Sequence, residues 1–297
     1  MLFSGNWMAV YAFLCWGLLP LYFQYIPNAN VFELLSIRIL FSIPCIYLWI
    51  KLFSAPTKNI WMAMRNKRTL LFCFLAGLFN LISLYCFTWA VTNGQVLAAS
   101  LGYFITPIFA VIFAVLFLKD RLSGFQMVAV VLSVAGIGCQ VLYFRELPWL
   151  SIIMGSTFAL YGLMKKFANL DAMSIMMIEL LTVLPIALVL LFSQMWDNTS
   201  VWQSGDLGKM WLYLLSAPIT LIPLLLYSIA VERTSLVMVG FIQYIEPSLQ
   251  FLLAVIVFGE VLLRVNVLSF GLIWLGLLLC AADIILQKPT YPPSTVG

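Results

Sequence analysis

The chain contains no histidine. That removes the usual metal ligand and the usual general acid–base group near neutral pH. Charge is scarce too: Asp, Glu, Lys and Arg make up 9% of the 297 residues, against about 25% in a soluble domain. The cysteines Cys15, Cys45, Cys73, Cys86, Cys139 and Cys280 form no C-x-x-C pair, and all lie in apolar stretches. They read as small core residues, so neither disulfides nor a metal site is expected. No glycine-rich phosphate loop, G-x-S-x-G or H-E-x-x-H occurs, so the chain is not expected to drive chemistry with ATP or to hydrolyse a substrate. No cofactor is expected. No Lys or Arg precedes the first apolar run near Trp7 and no A-x-A site follows it, so it is expected to be a retained helix and not a leader.

What is present is overwhelmingly apolar: 64% hydrophobic residues and a mean hydropathy of +1.08. A soluble fold holds about 45–50% apolar residues, so lipid is the expected solvent for this surplus. A membrane-crossing helix needs roughly 20 apolar residues. Such runs occupy approximately 7–25, 31–53, 70–91, 96–118, 125–143, 147–166, 173–193, 210–230, 236–258 and 266–286. The expected fold class is therefore all-α, a polytopic membrane protein of about ten transmembrane helices. The runs do not alternate polar with apolar, which excludes a barrel of short strands.

Loop charges orient these segments. With the N-terminus in the cytoplasm, that side holds Lys51, Lys58, Arg65, Lys67, Arg68, Lys119, Arg121, Lys165, Lys166, Arg233 and Lys288. The outer side holds Arg145, Lys209 and Arg264, and only Arg38 lies inside the membrane. Eleven against three places both termini in the cytoplasm. The basic stretch from Lys58 to Arg68 suits anionic lipid headgroups, not nucleic acid.

The sequence also repeats itself. Residues 90–122 align without a gap on 230–262, setting Ala90 on Ala230, Val91 on Val231, Ile105 on Ile245, Pro107 on Pro247 and Ala114 on Ala254, with Asp120 beside Glu260. Earlier, Glu33-Leu34-Leu35-Ser36 resembles Glu179-Leu180-Leu181-Thr182, and Trp16-Gly17 resembles Tyr161-Gly162. Two units follow, residues 1–145 and 146–297. Each holds five helices, an odd number, so the second enters the membrane from the opposite face. Inverted repeats recur in secondary transporters, with the site between the repeats near the midplane.

Cys15-Trp16-Gly17-Leu18-Leu19-Pro20, the Glu33…Arg38 segment, Ala98-Ala99-Ser100-Leu101-Gly102-Tyr103-Phe104-Ile105, Tyr161-Gly162 and Gly240-Phe241-Ile242-Gln243-Tyr244-Ile245 stand in an order and spacing that resembles the drug/metabolite transporter superfamily. The likeness is to its EamA-type branch, closest to RarD-like permeases, and covers nearly the whole chain. It implies ten helices, an inner-membrane location and movement of small metabolites. The chain departs from the pattern at Glu246, where a small residue is expected.

Charge near the midplane costs roughly 2.5–3.5 kcal/mol. Glu33, Arg38, Glu179 and Glu246 lie inside the apolar runs. Glu33 is near the outer edge, where it can meet water; Arg38 is roughly 7.5 Å deeper. Arg38 is expected to pair with Glu179 or Glu246 and to help form the substrate pocket; the alternative is an ion pair that only locks helices. Gln243, Glu246 and Gln250 share one helix face and should meet a cavity or a neighbouring helix, not lipid. Glu246 is the candidate proton carrier. Pro107 and Pro247 are candidate hinges or packing kinks. Asn80 and Ser83, with Thr220 and Pro223 in the second unit, are candidate pocket-lining groups. Trp16 and Tyr161 are candidate aromatic pocket walls or interface anchors, and Gly94, Ala98 and Gly102 form a ridge for close helix packing.

These features point to a secondary transporter that exposes a small-molecule site to each side of the membrane in turn, with a proton as the candidate coupling ion. The competing classes are a lipid-acting membrane enzyme, which would need a catalytic cluster at one interface, and a structural or signalling membrane protein. Substrate, direction and oligomeric state are not written in the sequence.

Overall fold

The structure is a computed structural model that describes residues 4–27, 29–52, 58–93, 96–144, 149–196, 200–257, 259 and 263–286. Among them all regular structure is helical and no strand occurs. In chain order the helices are α1 (Gly5–Gly17), α2 (Leu19–Phe23), α3 (Val31–Leu52), α4 (Lys58–Arg65), α5 (Lys67–Thr92), α6 (Val96–Phe113), α7 (Gly124–Phe144), α8 (Trp149–Ala168), α9 (Ala172–Trp196), α10 (Val201–Ser204), α11 (Leu207–Arg233), α12 (Leu236–Gln243), α13 (Ile245–Ile256) and α14 (Arg264–Leu286). A π-helical turn, Ala114–Leu118, continues α6. Lipid offers no partner to backbone N–H and C=O groups, so an apolar run of this length satisfies them internally as helix.

Seven stretches are long and apolar enough to cross a membrane: 5–23, 31–52, 67–92, 124–143, one that begins at Ala172 and takes in α9, 207–233 and 236–256. Gly102–Leu118 and Arg264–Gly276 are shorter apolar helices. The outer surface is greasy: Leu142, Trp196 and Ile256 are 79%, 77% and 76% exposed. Apolar exposure on this scale marks a lipid-facing surface.

Polar caps set several helix ends beyond the apolar runs. The Asn66 side chain accepts from the Arg68 and Thr69 amides and starts α5. Asp206 accepts from the Lys209 amide and starts α11, and Ser235 accepts from the Met238 amide and starts α12. Each satisfies an otherwise orphaned first-turn donor. The short helices α4 and α10 were not expected from hydropathy.

The two aligned prolines behave differently. Pro247 lacks the N–H that would bond the Gln243 carbonyl, and the helix breaks there, between α12 and α13 at Tyr244. Pro107 lies within the unbroken α6. The irregularity in that helix is instead the π turn seven residues on. A similar break at Leu18, just before Pro20, separates α1 from α2.

The packing of the first five long helices maps onto that of the last five. α1 packs on α11 as α8 packs on α5, and α1 packs on α12 and α13 as α8 packs on α6. α11 meets α3 as α5 meets α9, while α3 pairs with α9, α6 with α12 and α13, and α7 with α14. One end of the molecule gathers the start of α1 and the ends of α8 and α11: the Thr234 hydroxyl donates to Asn6 Oδ1 (2.7 Å), and Lys166 Nζ donates to the Thr234 carbonyl (2.7 Å).

Glycines allow the closest contacts. A Cβ on Gly155 would lie 3.0 Å from the Gly102 carbonyl oxygen and 3.1 Å from the Thr106 nitrogen. Both neighbours are α6 backbone, which cannot swing aside. Of the expected ridge, Gly102 therefore packs as expected, whereas Gly94 and the Ala98 side chain lie outside the described residues. Gly155→Ala is expected to destabilise the protein by about 1–3 kcal/mol through overpacking, read as a lower thermal midpoint in detergent.

Candidate functional site

α3, α5, α9 and α11 enclose a cavity of about 30 Å³, large enough for one or two waters. Its polar wall comes from Arg38 and Ser42 on α3, Asn80 on α5 and Glu179 on α9. Arg38 and Ser42 are one turn apart, on the buried face of α3. The Arg38 residue is 5% exposed. Among the described residues, no carboxylate lies within 4 Å of its guanidinium. The hydroxyls of Tyr103 and Tyr161 are near enough to act on it electrostatically. Asn80 Oδ1 is buried without a hydrogen-bond partner. Leaving such a group dry costs about 1–3 kcal/mol, and a cavity of this size has room for a water beside it.

Glu179 is paired, but not with Arg38. Its Oε1 lies 2.6 Å from the ammonium of Lys165 on α8, and both side chains are buried. The Tyr161 hydroxyl donates to Glu179 Oε2 at 3.5 Å, and the Lys165 ammonium sits 4.7 Å from the centre of the Tyr161 ring. The expected Arg38–Glu179 pair is therefore replaced by Lys165–Glu179. Lys165 had been counted with the loop charges, yet it is only 3% exposed.

The polar stripe along α12 and α13 faces inward. Gln243, Glu246 and Gln250 are all buried, at 1%, 0% and 1% exposure. Gln250 Nε2 donates to Glu246 Oε1 at 3.3 Å. The Tyr103 hydroxyl, on α6, reaches the same carboxyl. Gln243 Nε2, Glu246 Oε2 and Gln250 Oε1 are buried without partners. Glu246 makes no ion pair with Arg38, so the other expected pairing is absent too. The two acids are instead each approached by a tyrosine, and both tyrosines act on Arg38.

Trp16 and Tyr161 do not line the cavity. They belong to an aromatic cluster with Phe13, Phe158 and Tyr227, in which Tyr161 stacks on Tyr227 at 5.5 Å and Trp16 meets Phe158 edge-on at 5.4 Å. Tyr161 nonetheless contributes its hydroxyl to Glu179. The hydroxyls of Ser83 and Thr220 are turned to backbone carbonyls, of Met154 (3.1 Å) and Ser216 (2.7 Å).

Glu33 does not meet water. It is fully buried, accepting from the Ser200 hydroxyl at 2.5 Å and from the Val201 amide at 3.0 Å, and so caps α10. Around it Tyr22 donates to the Leu212 carbonyl, and the Asn30 amide donates to the Tyr213 hydroxyl (3.1 Å). These contacts close the end of the bundle opposite Lys166. Glu33→Ala is expected to lower stability by about 1–3 kcal/mol and to speed proteolysis around α10.

Sequence reasoning missed Tyr103 and Lys165. Tyr103 stands within the quoted Gly102-Tyr103-Phe104 motif, a signal that was available. For Lys165 the pattern of two adjacent lysines does not say which turns inward.

A family model described as the EamA-like transporter family matches residues 3–142 and again residues 148–282. The chain is 32% identical to "Protein RarD" of Escherichia coli K12 over 284 residues, covering 95% of each chain. It is 34% identical to "Uncharacterized transporter YojE" of Bacillus subtilis over 275 residues, 90% of each. It is 28% identical to "Chloramphenicol-sensitive protein RarD" of Pseudomonas aeruginosa over 271 residues, 89% of each. Among solved structures, a crystal structure of a protein 15% identical in sequence has a similar fold, with a TM-score of 0.71 over 94% of this chain and 98% of that one.

Proposed function

Because the chain belongs to the EamA-like transporter family, and is thus a multi-pass membrane transporter of the drug/metabolite type and not an enzyme, we propose that it carries a small amphipathic or zwitterionic solute across the inner membrane by alternating access. The observation that carries this reading is Arg38: a buried guanidinium without a carboxylate partner among the described residues, on the wall of a cavity that helices from both halves of the chain enclose. A guanidinium takes a carboxylate through two parallel hydrogen bonds, so an acidic group on the solute is its fitting partner. Metabolites and drug-like compounds that combine a carboxylate with an apolar body suit the surrounding leucines.

The working unit is a pair of inverted five-helix halves, residues 1–145 and 146–297, making ten crossings. Two matches to one family model and the exchangeable helix pairings support it. Two copies of an odd-numbered unit lie antiparallel, which makes the two faces of the membrane equivalent states of one machine. The basic side is cytoplasmic, with both termini. Glu246 is the proton carrier of the cycle: a buried carboxyl, free of any ion pair among the described residues, between Tyr103 and Gln250. The test is flux in proteoliposomes of solutes chosen by their ability to raise the thermal midpoint of the purified protein, since a ligand of the native state stabilises by mass action. Solutes that stabilise should be transported; stabilising solutes that never cross would refute the reading.

A further inference from the structure

A second cleft, of about 110 Å³, opens at the end of the bundle that holds Lys166 and Glu232. Lys165, Asn169 and Ser228 also line it. Two of its charged groups are committed to backbone. Lys166 Nζ donates to the Thr234 carbonyl at 2.7 Å, and Glu232 Oε2 accepts from the Ala172 amide at 2.9 Å. They tie together the ends of α8, α9, α11 and α12. Lys165 is different, because its ammonium points away from these ties and into Glu179.

Lys165 lines the cleft, whereas Glu179 lines the central cavity beside Arg38. The consecutive α9 residues Ile175 and Met176 likewise face the cleft and the cavity respectively. The two spaces are thus neighbours along α9, and one ion pair spans the boundary between them. The Tyr161 ring under the Lys165 ammonium, itself stacked on Tyr227, backs this boundary.

The geometry points to Lys165–Glu179 as the inner gate of the transport route, with the cleft as its vestibule on the basic, cytoplasmic side. With the pair formed, the cavity is sealed from that side. With the pair broken, Lys165 turns to the cleft, Glu179 turns to the cavity, and a solute passes between them towards Arg38. This rests on the transport reading above, but its test needs no solute.

In a background without native cysteines, Ser42→Cys places a thiol on the cavity wall. Vesicles of each orientation are treated with a membrane-impermeant methanethiosulfonate, so that the thiol is approached from one face at a time. Replacing the pair with neutral side chains, Lys165→Met with Glu179→Gln, should raise the rate from the cleft side at least about tenfold, the shift that ~1.4 kcal/mol of lost latch energy produces. The rate from the opposite side should stay the same or fall. The exchanged pair, Lys165→Glu with Glu179→Lys, should restore the slow rate. An unchanged cleft-side rate in the neutral variant overturns the gate. So does an equal rise from both faces, which would report loosening of the bundle. Failure of the transport reading would appear elsewhere, as stabilising solutes that are not carried, so the two can be told apart.

Discussion

Replacing Arg38 with Ala should weaken binding of the transported solute and cut its flux while the protein still inserts and folds. Among the described residues the guanidinium has no carboxylate to leave stranded, so its removal does not bare a buried opposite charge. What is lost is the hydrogen bonding to the solute's acidic group. Hydrogen bonds to a charged group contribute about 1.5–3 kcal/mol, so affinity should fall roughly 10- to 150-fold. Arg38→Lys should fall between the two, because lysine keeps the charge but not the planar two-pronged donor. The measurement is the solute-dependent rise in thermal midpoint together with flux in proteoliposomes. Undiminished flux in Arg38→Ala would remove the cavity from the transport route.

Glu246→Gln should uncouple transport from the proton gradient. The amide keeps the size and hydrogen-bonding capacity of the side chain beside Tyr103 and Gln250, but it cannot carry a proton. Solute exchange down its own gradient should continue, whereas accumulation driven by an imposed pH difference should drop to the level of protein-free liposomes. Accumulation equal to that of the unsubstituted protein would show that Glu246 is not the proton carrier.

Much of the bundle could be read from apolar run lengths, because lipid leaves a long apolar segment few alternatives to helix. What hydropathy could not supply were elements without such a run. α4 is short, carries basic residues and lies outside any apolar stretch; α10 is four residues long and depends on a capping contact from distant Glu33. The charged centre was legible in part. Arg38, Glu179 and Glu246 stand out because charge in lipid is costly, and the structure turns all three inward. Their partners were not legible, since pairing depends on how α8 is rotated against α9. That rotation buries Lys165 and leaves Lys166 half-buried, although the two are adjacent in sequence. Trp16 and Tyr161 were candidate pocket walls or interface anchors because each sits mid-span beside a glycine; such a residue fits an aromatic cluster equally well.

The aligned prolines give a further lesson. They stand at aligned positions of the sequence, yet of the two only Pro247 coincides with a helix break. A missing N–H permits a kink without requiring one, and the neighbours of α6 hold it continuous through Pro107.

The claim on which the rest depends is that the cavity beside Arg38 is open to each face of the membrane in turn. Asn80→Cys, in a cysteine-free background, tests it most directly by its reactivity towards a membrane-impermeant thiol reagent applied to one face and then to the other. The account predicts modification from both faces, with a transported solute slowing both rates. Modification from a single face only, or only by reagents that partition into lipid, would contradict it.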